Sequence, residues 1–375
     1  MQPAIPATSP AVPIHLHRKG RGTAWAIAHR FERDEREVFD DGWGTLQQMA
    51  TEERLAPGTV VIEQHVGSIL SGNDSPDIGF DLSINPYRGC EHGCIYCYAR
   101  PTHGYLNLSP GLDFETRIVA KVNAAQRLRE ALASRAYEPS LINIGSATDA
   151  YQPAERRLRI TRGVIEVLAG CAHPFAIVTK SAGVERDLDL IAPMAHAKRA
   201  AVYVSLTTLD PALARIMEPR AASPQRRLRT IATLAQAGVP VGVSVSPVIP
   251  FVNEPEVERI LEAAAAAGAQ AAFSIVLRLP WEVNPLFQDW LQHHFPDRAA
   301  RVMARIREMR GGRDNDARFG TRMTGQGVWA QLLRQRVAKA AARLGLNRQR
   351  IEMDFSGFRK PMDEPPRDAR QASLF

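Results

Sequence analysis

The chain has 375 residues, 45% of them apolar and 23% charged, the balance of a water-soluble folded protein rather than a fibrous or disordered one. Four cysteines are too few for a disulfide framework, and the longest apolar run, "LEAAAAAGAQAAFSIVL", is broken by Glu262, Gly268, Gln270 and Ser274 and is too short to span a bilayer. The net charge of +7 admits nucleic acid as a partner without requiring it.

Residues 1–24 open on "MQPAIPATSPAVPIHLHRKGRG", which is proline-broken, lacks the apolar region of a secretion signal and is expected to be disordered. The expected compartment is therefore the cytoplasm. An N-terminal segment, 25–80, is mixed in pattern, with a strand expected at "TVVIEQHV" (59–66).

From residue 81 to 280 strands and helices alternate. Short β-rich runs fall at 141–146, 175–181, 200–208, 241–249 and 271–279. Helical stretches precede or separate them at 115–134, 160–171, 185–197, 224–238 and 254–268, several ending in Gly as helix C-termini do. With the segment that leads into the cysteines, this makes six strands. The runs are almost wholly apolar, so both sheet faces should be covered. The pattern predicts an α/β fold, a partial (β/α)6 TIM-type barrel, ahead of an open doubly wound sheet; either places its site at the C-terminal strand ends. Residues 281–358 read as a helical extension, with helices at 285–295, 297–312 and 325–346.

Three of the four cysteines lie in "NPYRGCEHGCIYCYARP", at Cys90, Cys94 and Cys97. A C-x3-C-x2-C spacing lets one loop aim three thiolates at one metal group. Structural zinc takes four protein ligands, so a zinc site would need His92 or His103 as well. On a four-iron cluster three thiolates leave one iron open, which suits substrate or cofactor chemistry better than electron storage. His92 reads as a loop residue that packs or hydrogen-bonds beside the metal group.

This motif, with an aromatic before the third cysteine and βα units behind it, resembles the signature of radical S-adenosylmethionine (radical SAM) enzymes. The resemblance implies a [4Fe–4S] cluster on Cys90, Cys94 and Cys97. It implies S-adenosyl-L-methionine (SAM) at the open iron and a 5′-deoxyadenosyl radical as product of its cleavage. It also implies an electron donor such as flavodoxin or ferredoxin. The longer string "CEHGCIYCY" resembles the spore photoproduct lyase-like group, in which Tyr96 and Tyr98 fall at positions held to relay a hydrogen atom.

By the same resemblance Ser146, Thr148 and Asp149 would contact the SAM amino acid. Lys180 would meet its carboxylate, and Ser205 and Thr207 its ribose. Arg278, ending the sixth strand, would face a phosphate or carboxylate. The lyase carries a hydrogen-donating cysteine after its second strand; "GSATDAY" (145–151) has none here. Cys171 precedes the third strand, at the face away from the site, and reads as a buried small residue.

The tail, 359–375, ends in "QASLF". Gln371, Leu374 and Phe375 resemble the peptide by which bacterial repair proteins dock on the DNA sliding clamp. The expectation is a radical SAM lyase-type enzyme acting on damaged DNA or other nucleic acid. A radical SAM enzyme of proteins or metabolites, and a non-catalytic metal-binding module, stand as alternatives. Nucleic-acid dependence of SAM cleavage separates the first pair, and metal analysis the last.

Overall fold

The structure, a computed structural model, describes residues 20–23, 25–31 and 58–361. In chain order its strands are β1 (Val60–Gln64), β2 (Leu70–Gly72), β3 (Leu82–Ile84), β4 (Tyr87–Arg88), β5 (Arg117–Lys121), β6 (Ile142–Ile144), β7 (Phe175–Thr179), β8 (Ala200–Ser205), β9 (Val241–Val248) and β10 (Ala271–Val276). Seven of them form one sheet in the order β10-β9-β8-β7-β6-β3-β2. From β3 to β10 all neighbours are parallel and follow chain order without reversal. A doubly wound sheet reverses its order at a switch point; this one never does, so it curls one way into a partial barrel. These are the six strands expected from the sequence. β2 adds an antiparallel edge.

Parallel register stacks like residues into layers. Ile84, Ile144, Ile177, Val202 and Val241 stand side by side across five strands, and none is exposed. Each such burial contributes roughly 1.5–3 kcal/mol. Outside them lie the helices Ile160–Gly170, Leu188–His196, Pro224–Gln236 and Val257–Ala266. No helix among the described residues is long and apolar enough to cross a membrane.

The C-terminal helices Val283–His294, Pro296–Met309 and Gly327–Leu344 close the side of the barrel beyond β10. An open strand edge offers unpaired backbone groups. Here Asn347 meets both groups of Ala272, N–H to Oδ1 and Nδ2–H to O, each at 2.8 Å. Buried Arg310 donates to the carbonyls of Leu277 (2.5 Å), Arg322 (2.8 Å) and Thr321 (3.0 Å), which pins the loop before the last helix to the end of β10.

Three expectations need correction. The stretch 115–134 is not one helix: helix Leu112–Thr116 ends, β5 follows, and helix Ala124–Ala133 begins afterwards. The Ile118–Val119 pair favours extended backbone, and β5 finds parallel β1, the strand expected at 59–66. Asn123 holds the junction by bonding both backbone groups of Val66, at 2.9 and 3.0 Å. Secondly, Arg21, Gly22 and Thr23, assigned to the disordered N-terminus, are seated against buried Glu115. Thirdly, an unpredicted helix, Pro211–Met217, starts from an Asp210 cap. Residues 1–19 and the clamp-like peptide, Gln371, Leu374 and Phe375, lie outside the described residues.

Candidate active site

Loop 89–97 leaves β4 at the C-terminal mouth of the barrel and is held from several sides. Gly89 has φ +78°, and a Cβ there would come within 2.9 Å of the Phe114 carbonyl, so only glycine makes this entry without strain. Cys90 N–H donates to that same carbonyl at 2.9 Å. Glu91 N–H donates to Gln152 Oε1 at 3.0 Å, and Ala154 N–H donates to Glu91 Oε1 at 2.8 Å. Ile95 N–H reaches Met217 O at 3.1 Å.

A second hold is electrostatic. Fully buried Arg100 donates to Cys94 O at 3.0 Å and pairs with fully buried Glu115 at 2.5 Å. Glu115 also accepts Gly22 N–H at 2.9 Å and Thr23 N–H at 3.1 Å. The N-terminal segment, the cysteine loop and helix Leu112–Thr116 thus share one carboxylate.

Cys90 and Cys94 are buried, and Cys97 is partly exposed. Burial pushes all three thiols up, Cys94 to about 12, while Lys180 opposes the shift on Cys94 and Arg100 on Cys97. Thiolates in this setting call for a positively charged metal group. Among the described residues no three His, Cys, Asp or Glu converge where a single metal ion would sit. His92 Nδ1 instead lies 3.3 Å from Asp149 Oδ2, and His103 Nε2 lies 2.9 Å from Arg117 O. With both histidines engaged elsewhere, the fourth protein ligand that structural zinc takes is not supplied here, whereas three thiolates suffice for a four-iron cluster with one open iron.

The two tyrosines differ. Tyr96 is buried and donates to Glu218 Oε1. Burial and Glu218 hold its phenol well above the ordinary value. Tyr98 is 48% exposed and donates to Ser146 O. The Arg278 guanidinium stands 5.4 Å from the Tyr98 ring centroid, and its Nη1 is 3.7 Å from Met323 Sδ.

The other expected residues divide into two groups. Lys180 Nζ donates to Ser205 Oγ at 2.7 Å, and Ser146 Oγ is 3.2 Å from Asn85 Nδ2; Lys180 and Ser146 are partly exposed at their strand ends, and Ser205 is buried. The side chains of Thr148, Asp149 and Thr207 are buried and tie loops together. Thr148 Oγ1 donates to Gly89 O at 2.7 Å, and Thr207 Oγ1 donates to Glu218 Oε1 at 2.7 Å. Asp149 accepts Thr179 Oγ1 and the Lys180 N–H, both at 2.7 Å. Burial would raise the Asp149 carboxyl, but His92 and these donors outweigh it and hold it far below the carboxylate range. Cys171 caps helix Ile160–Gly170 at the opposite face, buried as expected.

Sequence reasoning missed Glu218, Arg227, Arg100 and Glu115. Glu218 pairs with Arg227, both buried, beneath Tyr96. Only Asp210–Pro211, a helix-start signal, marks the helix that delivers Glu218. A cleft of about 540 Å³ beside the loop is lined by His92, Ser181, Arg186, Arg220 and Arg226. Arg186, Arg220 and Arg226 are paired with Glu155, Glu91 and Glu185, while Arg156, exposed in the same lining, has no ion-pair partner among the described residues.

Residues 84–264 match the family model of the Radical SAM superfamily. An uncharacterized protein of Mycobacterium tuberculosis (strain ATCC 25618 / H37Rv) is 38% identical over 232 residues, 61% of this chain and 67% of its own. One of Methanocaldococcus jannaschii is 29% identical over 172 residues, 46% and 62% of the two chains. A solved variant of spore photoproduct lyase matches with a TM-score of 0.55 at 17% identity, over 76% of this chain and 80% of that one. The same lyase complexed with dinucleoside spore photoproduct gives 0.56 at 17% identity, over 81% and 92%. At that identity the likeness is one of fold.

Proposed function

Because the chain belongs to the radical SAM superfamily, we propose that it is a radical SAM enzyme directed at damaged DNA or another nucleic acid. The observation that carries this reading is the cysteine loop at the mouth of a parallel half-barrel, with Cys97 partly open and Tyr98 exposed next to it. Cys90, Cys94 and Cys97 would hold a [4Fe–4S] cluster. When bound and reduced, such a cluster supplies the electron that cleaves SAM to a 5′-deoxyadenosyl radical.

The chain's own residues then have separate tasks. Lys180 acts electrostatically on both Cys94 and Cys97, which suits it to the SAM carboxylate; Ser205 fixes its ammonium. Tyr96 is bonded to Glu218 inside the protein and braces the loop. Tyr98 is the hydroxyl placed to pass a hydrogen atom, and its bond to Ser146 O sets it on the segment where the lyase has its cysteine. Arg278 supplies a cation beside Tyr98 for a phosphate. The fold likeness to the lyase and the basic balance of the chain support a nucleic-acid substrate.

The test is 5′-deoxyadenosine formation from SAM by anaerobically reconstituted, reduced protein, with and without UV-irradiated DNA. Stimulation by irradiated over intact DNA is the expected result. Turnover indifferent to any nucleic acid would leave the radical chemistry and remove this substrate. We also propose a flavodoxin- or ferredoxin-type electron donor. Docking on the DNA sliding clamp through Gln371, Leu374 and Phe375 is tested by removing Leu374 and Phe375, which should abolish clamp binding.

A further inference from the structure

Six aromatic side chains are exposed among the described residues, and five of them stand against an arginine: Phe31, Tyr105 and Trp281 around Arg30, Tyr98 under Arg278, and Phe319 under Arg322. The sixth, Phe273, packs 5.6 Å from Tyr203 on β8. So uneven a distribution points to a ligand, because large aromatic surface left in water is otherwise unfavourable.

Arg30 is the hub of the first group. Its guanidinium lies 4.2 Å from the Trp281 ring centroid, 4.5 Å from that of Phe31 and 5.4 Å from that of Tyr105. The Phe31 and Tyr105 centroids are 5.1 Å apart. Glu282 holds Arg30 at 3.1 Å, so the guanidinium is fixed in orientation and largely neutralised. Trp281 is 65% exposed and sits at φ +45°, a backbone region bulky residues seldom occupy. The fold accepts that strain and still leaves the indole in water, a pattern found where a ligand is gripped.

Three residues before Trp281 comes Arg278, over the exposed ring of Tyr98, the residue that follows Cys97. Buried Arg278 Nε has no hydrogen-bond partner among the described residues. The short segment 278–282 thus joins the two groups: Trp281 and Glu282 belong to the Arg30 hub, and Arg278, which has no ion pair among the described residues, stands over Tyr98. Bases stack on aromatic faces and arginine planes, while phosphates seek unpaired arginines. An acidic protein partner would need free charge at the hub, where Arg30 is already paired.

We propose that Arg30, Phe31, Tyr105 and Trp281 form a stacking platform for unpaired bases, holding the strand that flanks the nucleotide received at Tyr98 and Arg278. This rests on the nucleic-acid reading above and assigns it a surface. The platform predicts a preference for single-stranded or locally unwound nucleic acid over intact duplex.

Fluorescence anisotropy of reconstituted full-length protein with a short labelled single strand, and with its blunt duplex, tests the proposal. Wild type should prefer the single strand. Trp281→Ala and Tyr105→Ala should each weaken that binding about tenfold, whereas Trp281→Phe retains most of it. Iron content and the unfolding midpoint show that each variant is folded and loaded. If wild type binds single strands and the alanine variants bind as tightly, the platform is wrong and the nucleic-acid reading stands. If neither wild type nor a variant lacking residues 32–57 binds nucleic acid, both fall. Binding that appears only after deletion of residues 32–57 would mean the rings serve the chain's own segment, and would overturn the platform.

Discussion

The phenol of Tyr96 is hydrogen-bonded to the carboxylate of Glu218, which lies 122 residues further along the chain. Through this contact the middle of the cysteine loop rests on a buried ion pair, because Glu218 also binds Arg227 and accepts Thr207 Oγ1. Burial alone would raise the Glu218 carboxyl; Arg227 and Lys180 outweigh it and hold it down at about 2.

Removing one member of that pair should therefore be severe. Glu218→Ala leaves Arg227, 1% exposed, without its countercharge, and the expected loss is about 3–5 kcal/mol. Urea unfolding measures it. The double variant Glu218→Ala/Arg227→Met should recover part of the loss, because it no longer buries a lone charge. A Glu218→Ala protein as stable as wild type would show that Tyr96 and Arg227 have other support.

The proposed role of Lys180 toward the SAM carboxylate predicts that its loss separates cofactor binding from cluster assembly. Its ammonium reaches Ser205 Oγ at 2.7 Å and lies 5.8 Å from the Tyr96 ring centroid. A charge-assisted bond to a carboxylate contributes about 1.5–3 kcal/mol, so Lys180→Met should weaken SAM binding roughly 10- to 100-fold. Anaerobic equilibrium dialysis reads the affinity, and iron and sulfide analysis should be unchanged. Unaltered SAM affinity would remove Lys180 from the cofactor site.

What the sequence reveals and what it hides have separate physical causes. Strands such as "FAIVT" are continuous apolar runs because both faces are covered, and runs of that kind are visible from composition alone. The cysteine spacing is local and equally visible. β5 is hidden because its parallel partner β1 comes 57 residues earlier in register and nothing near Ile118 announces it. Arg100, Glu115, Glu218 and Arg227 are hidden because charged residues are usually exposed, and their burial depends on partners distant in sequence. Tyr96 and Tyr98 look equivalent in the sequence. Only their partners, Glu218 for one and Ser146 for the other, tell them apart.

The Arg100–Glu115 pair predicts a link between the N-terminal segment and cluster retention. A Cβ on Gly22 would stand 1.7 Å from the Gly93 carbonyl oxygen, so Gly22→Ala forces this segment off the cysteine loop. Glu115 would lose two backbone donors while its pair with Arg100 survived. The expected outcome is a folded protein that assembles its cluster but loses iron several-fold faster to a chelator, with a stability loss of about 1–3 kcal/mol. Glu115→Ala should be worse on both measures, because it strands buried Arg100. Identical iron-release rates in wild type and Gly22→Ala would sever the proposed link.

His173, far from the cysteine loop, makes the protein sensitive to acid in a defined window. Its ring is buried, with Nδ1 2.9 Å from Pro174 O and Nε2 2.7 Å from the Tyr137 hydroxyl. Nδ1–H donating to Pro174 and Nε2 accepting from Tyr137 satisfies the neutral ring. Burial accordingly pulls its pKa from 6.5 down to about 4. The unfolded chain takes up this proton near pH 6.5, while the folded chain refuses it until about pH 4. The contribution is therefore complete above the upper value, declines as pH falls between the two, and is lost below the lower one. The 2.5-unit interval (6.5 − 4) corresponds to roughly 3 kcal/mol in all. Between about pH 7.5 and about pH 5, urea unfolding should show wild type losing about 2 kcal/mol more than His173→Gln, whose amide oxygen can still accept from Tyr137. Equal losses in the two proteins would mean that His173 binds its proton in the folded state as readily as in the unfolded one.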